Sequence, residues 1–149
     1  MPSIRMLLLG ADSPGPRPSW LLPISTFFVT FAAYATGVFA VSGGVVFVPG
    51  DAALVGVAVC AVVGYLRAGL VLAWASATGA LLGARADHAF FGLSYRSRLD
   101  QLAYFLELDG LVVYGLEGIV IGTIGFAVGG LAFVVRWLLR ERADWSGAD

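Results

Sequence analysis

Three long stretches of this chain carry almost no charge, and that limits the folds open to it more than any other feature. Trp20 to Val41 has no charged residue, 52–84 has only Arg67, and 18 uncharged residues separate Glu117 from Arg136. Across its 149 residues the chain is 59% hydrophobic and 13% charged, where a soluble domain is about 25% charged. Apolar runs that recur from Trp20 to Leu139 mark a multi-pass membrane protein rather than a globular core. Hydrocarbon offers no water to backbone N–H and C=O groups, so each run is expected to be helical. The expected fold class is all-α, an integral membrane helical bundle.

Residues 1–19 read as an N-terminal tail. "MLLL" is too short to span, and the three prolines of "GADSPGPRPS" make 10–19 an extended linker. The first span is expected at about 20–41, with Trp20 at the headgroup level where its amphipathic ring is favoured. "SGG" at 42–44 weakens the helix, and Asp51 is placed to cap the next one. A second reading of the first run stays open. Arg5 and Arg17, the apolar stretch and "AVSG" at 40–43 resemble a secretory signal with a small-residue cleavage site.

The 33 residues of 52–84 pose the main topological choice. As one helix they would be about 50 Å long and need a tilt near ~50° to fit a ~30 Å hydrocarbon layer, beyond the observed range. Arg67 would then sit near mid-membrane, at about 2.5–3.5 kcal/mol. As a hairpin, Arg67 lies in a turn at the water surface between Gly64 and Gly69, with short spans at about 52–66 and 68–84. The hairpin puts Arg5, Arg17, Arg67, Arg136, Arg140 and Arg142 on one side against Arg85, Arg96 and Arg98 on the other. That excess places both termini in the cytoplasm of a four-span protein in the cell membrane; a three-span protein is the alternative.

The longest polar segment follows. Ser97 and Asp100 form a capping-box-like start and Gly110 a stop, with Leu99, Leu102 and Leu106 on one face. An amphipathic helix at about 97–109 is expected to lie in the membrane interface. A last span at about 113–139 then exits past Arg136, Trp137 and Arg140, and 140–149 form a polar tail.

That last span carries the sharpest pattern. Gly115, Gly118, Gly122, Gly125 and Gly129 are spaced 3, 4, 3 and 4, which keeps them on one face of a left-handed helix pair. Small residues let backbones approach closely where lipid supplies no hydrophobic drive, so these five are expected to form a helix-packing seam. Thr26, Thr30, Ala33, Gly37 and Ala40 suggest a similar stripe in the first span. In "AWASATGALLG" almost any stripe can be drawn.

Signals for chemistry are sparse. The chain has one cysteine, Cys60, one histidine, His88, and no lysine, which excludes a CxxC site and a GxxxxGK[ST] phosphate loop. Net charge is −1, so no basic field points to nucleic acid. No catalytic residue, metal site or cofactor is expected. Glu117, Asp87 and His88 form the one possible polar site; Thr123, Ser76 and Trp74 are further polar groups within spans. The turn "GYLRAG" and the span "GTIGFAVGG", with arginine the only basic residue type, resemble small haloarchaeal multi-pass membrane proteins of unknown function. That resemblance implies a halophilic source and brings no activity with it. The expected function is a non-catalytic scaffold or accessory subunit, partnered by lipid and by its own copies or another membrane protein. The alternative is a homo-oligomeric transporter or channel for a small solute or ion.

Overall fold

The computed structural model describes residues 4–10, 20–40 and 48–146, and these are all-helical. A short α1 (Ile4–Leu9) precedes four longer helices, α2 (Leu21–Ala35), α3 (Gly50–Tyr65), α4 (Leu70–Asp87) and α6 (Leu108–Ser146), with α5 (Arg98–Phe105) between the last two. A π-helical turn, His88–Gly92, extends α4. The stretches 1–3, 11–19 and 41–47 lie outside the described residues. So do most of the proline linker, the "SGG" connection and most of the candidate cleavage site.

Helix directions follow from which residues meet. On α6, Gly118 opposes Thr78 and Gly122 opposes Trp74, so α6 runs antiparallel to α4. Gly125 opposes Val57 and Gly129 opposes Ala61, so α6 runs parallel to α3. On α4, Gly79 meets Pro23 and Gly83 meets Phe27 and Phe31, so α2 runs alongside α4 in the same direction. The order is up-down-up-down, with α4 packed against α2, α3 and α6. One end of the bundle carries α1, the α3–α4 turn and the C-terminal part of α6. The other carries the start of α3, the π turn and α5.

The α3–α4 turn is a Schellman motif. The Arg67 and Ala68 amides donate to the Gly64 and Val63 carbonyls, each at 3.0 Å, satisfying acceptors the helix end leaves free. Arg67, exposed, is the left-handed residue of the motif, with φ of 55°, a position that usually goes to glycine. Its guanidinium lies 5.6 Å from the Phe133 ring centre on α6, which offsets part of the backbone cost. The chain therefore reverses at Arg67, and 52–84 is not one helix. Gly69, at φ 110°, admits α1: a Cβ there would lie 2.7 Å from the Leu8 carbonyl oxygen.

Several boundaries differ from expectation. Residues 4–9, assigned to the tail, form α1 against this turn. Helix α2 stops at Ala35 instead of Val41, because Gly37 (φ 75°) closes another Schellman motif. Pro49, not Asp51, precedes α3, and Asp51 sits in its first turn, where its charge meets the positive end of the helix dipole. Ser97 does cap α5, its Oγ accepting from the Asp100 amide at 3.2 Å. That helix ends at Phe105, however, and α6 starts at Leu108, so Gly110 is inside a helix rather than a stop. The polar tail is also helical, as α6 continues to Ser146.

The interior is built the opposite way round from a soluble core. The buried face of α4 is Ala73, Ala77, Ala80 and Ala84, with Ser76, Gly79 and Gly83 beside it. Thr26 and Thr30 of α2 and Cys60 of α3 are buried too. Large apolar side chains point outward instead: Ile24 and Phe28 on α2, Leu54 on α3, Val120, Ile124 and Leu131 on α6. Soluble proteins rarely expose contiguous apolar surface on this scale. Among the described residues one segment, Leu108–Arg142, is long and apolar enough by itself to cross a membrane, and only 22% of its most apolar stretch is buried. A core helix of a soluble protein would be mostly buried. Helices α2 and α3 are apolar but shorter.

Candidate functional site: a glycine seam and a buried arginine

Four of the five expected seam glycines lie where α6 meets its neighbours. A Cβ at Gly118 would come within 2.9 Å of the Thr78 amide nitrogen, and one at Gly122 within 3.0 Å of the Trp74 Cα. At Gly125 it would meet the Cys60 Cβ at 2.7 Å, and at Gly129 the Tyr65 amide nitrogen at 2.7 Å. At Gly118, Gly125 and Gly129 a real Cβ would not approach so closely, so these need their bare backbone; at Gly122 a Cβ would fit only if Trp74 gave way by a few tenths of an ångström. Gly115 differs, since within this chain nothing lies within 4 Å of a Cβ built there. The row facing α4 steps by four through Gly110, Tyr114, Gly118 and Gly122, along a helix ridge, and Gly115 falls off it. Gly64 on α3, which closely approaches Phe126, joins the seam from the other side.

Polar groups along the seam are mostly satisfied locally. The Trp74 Nε1 donates to Thr123 Oγ1 at 2.9 Å, and that hydroxyl donates to the Ile119 carbonyl at 2.7 Å. Ser76 donates to Leu72 at 2.8 Å, and the Cys60 thiol to the Ala73 carbonyl at 3.0 Å. Among the described residues two buried side-chain oxygens lack a partner, Thr30 Oγ1 and Glu117 Oε2.

At the end opposite the Arg67 turn sits Arg85, only 5% exposed. Its Nη2 donates to the Tyr104 carbonyl at 2.5 Å and its Nε to the Phe105 carbonyl at 3.2 Å. These are the last carbonyls of α5, which an arginine can cap. The guanidinium also lies 5.0 Å from the Tyr104 ring centre and 5.5 Å from that of Tyr114. A Cβ on Gly110 would collide with it, so this glycine makes room for the guanidinium. Glu107 approaches at 3.8 Å but is largely exposed and adds little.

Asp87 and His88 do not form an acid–base pair directed at one point. They are consecutive in a helix, so their side chains diverge by about 100°. His88 is exposed, with its ring 5.8 Å from that of Tyr104. Glu117 is a helix turn or more away on α6. Its relation to Ile121, four residues on and packed in both apolar clusters, puts it on the side of α6 that faces the bundle. The three candidate residues thus do not converge on one site.

Sequence reasoning missed Arg85 as the organising residue of this end. Its partners are backbone carbonyls about twenty residues later, which no side-chain motif announces. The available signal was an arginine four residues after Leu81 and three before His88, still within the apolar period of α4. Comparisons with protein families, curated proteins and solved structures find no match.

Proposed function

We propose that this chain is a four-span membrane protein whose role is non-catalytic: a small scaffold or accessory subunit that presents a rigid, glycine-seamed bundle to lipid and to a membrane partner. The observation that carries this reading is where the residues lie: alanine, glycine, serine and threonine make up most of the interior, beside Leu72, Leu81, Val63 and Tyr34, while most of the leucine, isoleucine, valine and phenylalanine faces outward. Helices α2, α3, α4 and α6 form the spans. At 15 and 16 residues, α2 and α3 are short for a ~30 Å hydrocarbon layer, which local thinning of the bilayer accommodates, while α4 at 18 residues is long enough but less apolar. Helix α5 lies in the interface. Its Leu99 is 79% exposed while Gln101, 1% exposed, faces inward and donates to the Leu93 carbonyl at 2.9 Å. A helix that buries its glutamine and exposes its leucines is suited to lipid on its outer side.

Charge gives the orientation. The Arg67 end carries Arg5, Arg67, Arg136, Arg140 and Arg142 against Glu141 among the residues whose side chains are described. The other end carries Arg85, Arg96 and Arg98 against Asp51, Asp87, Asp100, Glu107 and Asp109. The arginine excess assigns the Arg67 end, with both termini, to the cytoplasm.

A second reading, a homo-oligomeric transporter, draws on Glu117, whose Oε2 is buried without a hydrogen-bond partner. Unpaired intramembrane carboxylates mark solute or ion pathways. One experiment separates the two. Gentle solubilisation from the native membrane followed by the mass of the intact complex should give a stoichiometric assembly with a different membrane protein. A pure homo-oligomer would overturn the accessory-subunit reading in favour of transport.

A further inference from the structure

The face of α6 that carries the glycine seam does not end where the bundle ends. Gly129 opposes Ala61 and Tyr65, and Phe133 packs on Tyr65 with ring centres 6.1 Å apart. Arg136 hydrogen-bonds the Tyr65 hydroxyl. There α3 and its turn stop, while α6 continues to Ser146. From this level onward Ala132, Val135, Arg136, Leu139 and Arg140 line a shallow groove, Arg136 standing between it and Tyr65. The residues follow at helical spacing, so the groove is one stripe: an apolar floor with guanidiniums one turn apart.

We propose that this groove is a binding site for an anionic phospholipid, with Arg136 and Arg140 on the phosphate and the start of an acyl chain on Ala132, Val135 and Leu139. The inference rests on the membrane reading above. The charge of this end favours such an occupant, because among the residues whose side chains are described five arginines stand there against the single carboxylate of Glu141. The apolar floor is continuous with the outward Val128 and Leu131 of the span, so a lipid in the leaflet reaches it without leaving the bilayer. Arginine forks bind phosphate oxygens in pairs. Trp137, 52% exposed next to the site, stands at the level where tryptophan meets headgroups. A second copy of this chain would bring its own arginines to the same place and repel.

The test uses the full chain in detergent, incubated with equal amounts of phosphatidylglycerol and phosphatidylcholine and weighed intact with its retained lipids. The native chain should retain phosphatidylglycerol in preference by on the order of tenfold. The R136Q/R140Q variant should lose the preference. Arg140→Gln alone, at an exposed position on the open face, should reduce it without disturbing the Tyr65 contact. R96Q/R98Q, at the other end, should leave it intact. Equal retention of both lipids by the native chain, a preference that survives in R136Q/R140Q, or a lipid-free dimer would overturn the site. A native chain that extracts from membranes without detergent would instead overturn the membrane reading on which the site rests.

Discussion

Arg85 ties the end of α4 to the end of α5, and its charge is matched by backbone carbonyls and two tyrosine rings rather than by a buried carboxylate. Replacing it with leucine removes the donor to the Phe105 carbonyl, leaves the Tyr104 carbonyl with only the Glu107 amide at 3.3 Å, and empties the space of the guanidinium in a packed site. Arg85→Leu should therefore destabilise the fold by about 2–3 kcal/mol. It should also expose the α5 segment to proteolysis, read by thermal unfolding in detergent and by limited digestion. Arg85→Lys should rescue only in part, because an ammonium cannot reproduce the planar fork. A lysine variant as stable as the native chain would show that charge alone is needed. At Arg67 the sequence was more informative. An arginine between Gly64 and Gly69 in an otherwise uncharged stretch reads as a turn, since the alternative is a charge at mid-span. The left-handed backbone of Arg67 itself was not legible, because glycine, the expected residue there, occurs two positions later instead.

Among the elements, α6 and α4 differ in how much their sequences reveal. The 3, 4, 3, 4 spacing of α6 stands out because isoleucine, valine and phenylalanine fill the rest of its circumference. Four of its five glycines oppose α4 or α3. In α4 no stripe can be read, and the structure gives the reason. The helix touches α2, α3 and α6, so small residues are needed nearly all round. The end of α5 was misplaced for a similar reason. Gly110 resembles a helix stop in sequence, yet it is there to admit the Arg85 guanidinium. Alanine substitution separates packing glycines from incidental ones. Gly125→Ala places a methyl 2.7 Å from the Cys60 Cβ and the Val57 carbonyl oxygen, and should destabilise by about 1–3 kcal/mol. Gly115→Ala and Gly130→Ala meet nothing within 4 Å and should stabilise by up to about 1 kcal/mol through helix propensity alone. Thermal unfolding of the three variants checks the contrast. Equal effects at all three positions would remove the seam as an explanation.

For the whole molecule, the bundle places α1, the Arg67 turn and the C-terminal part of α6 at one end, and the π turn and α5 at the other. All-helical structure and outward apolar side chains were legible from the uncharged runs. Helix lengths were not, since Schellman closures at Gly37 and Arg67 stop α2 and α3 while the sequence remains apolar. The central claim is that a bilayer separates the two ends, and impermeant-thiol labelling tests it most directly. Cys60 is fully buried, so Cys60→Ala provides a background without a competing thiol. In that background Arg67→Cys and Tyr95→Cys, both at exposed positions, are introduced singly and expressed in sealed vesicles of known orientation. A membrane-impermeant maleimide should label Arg67→Cys only from the cytoplasmic face and Tyr95→Cys only from the opposite face. Labelling of both from the same face, or of either from both faces, would contradict the four-span bundle.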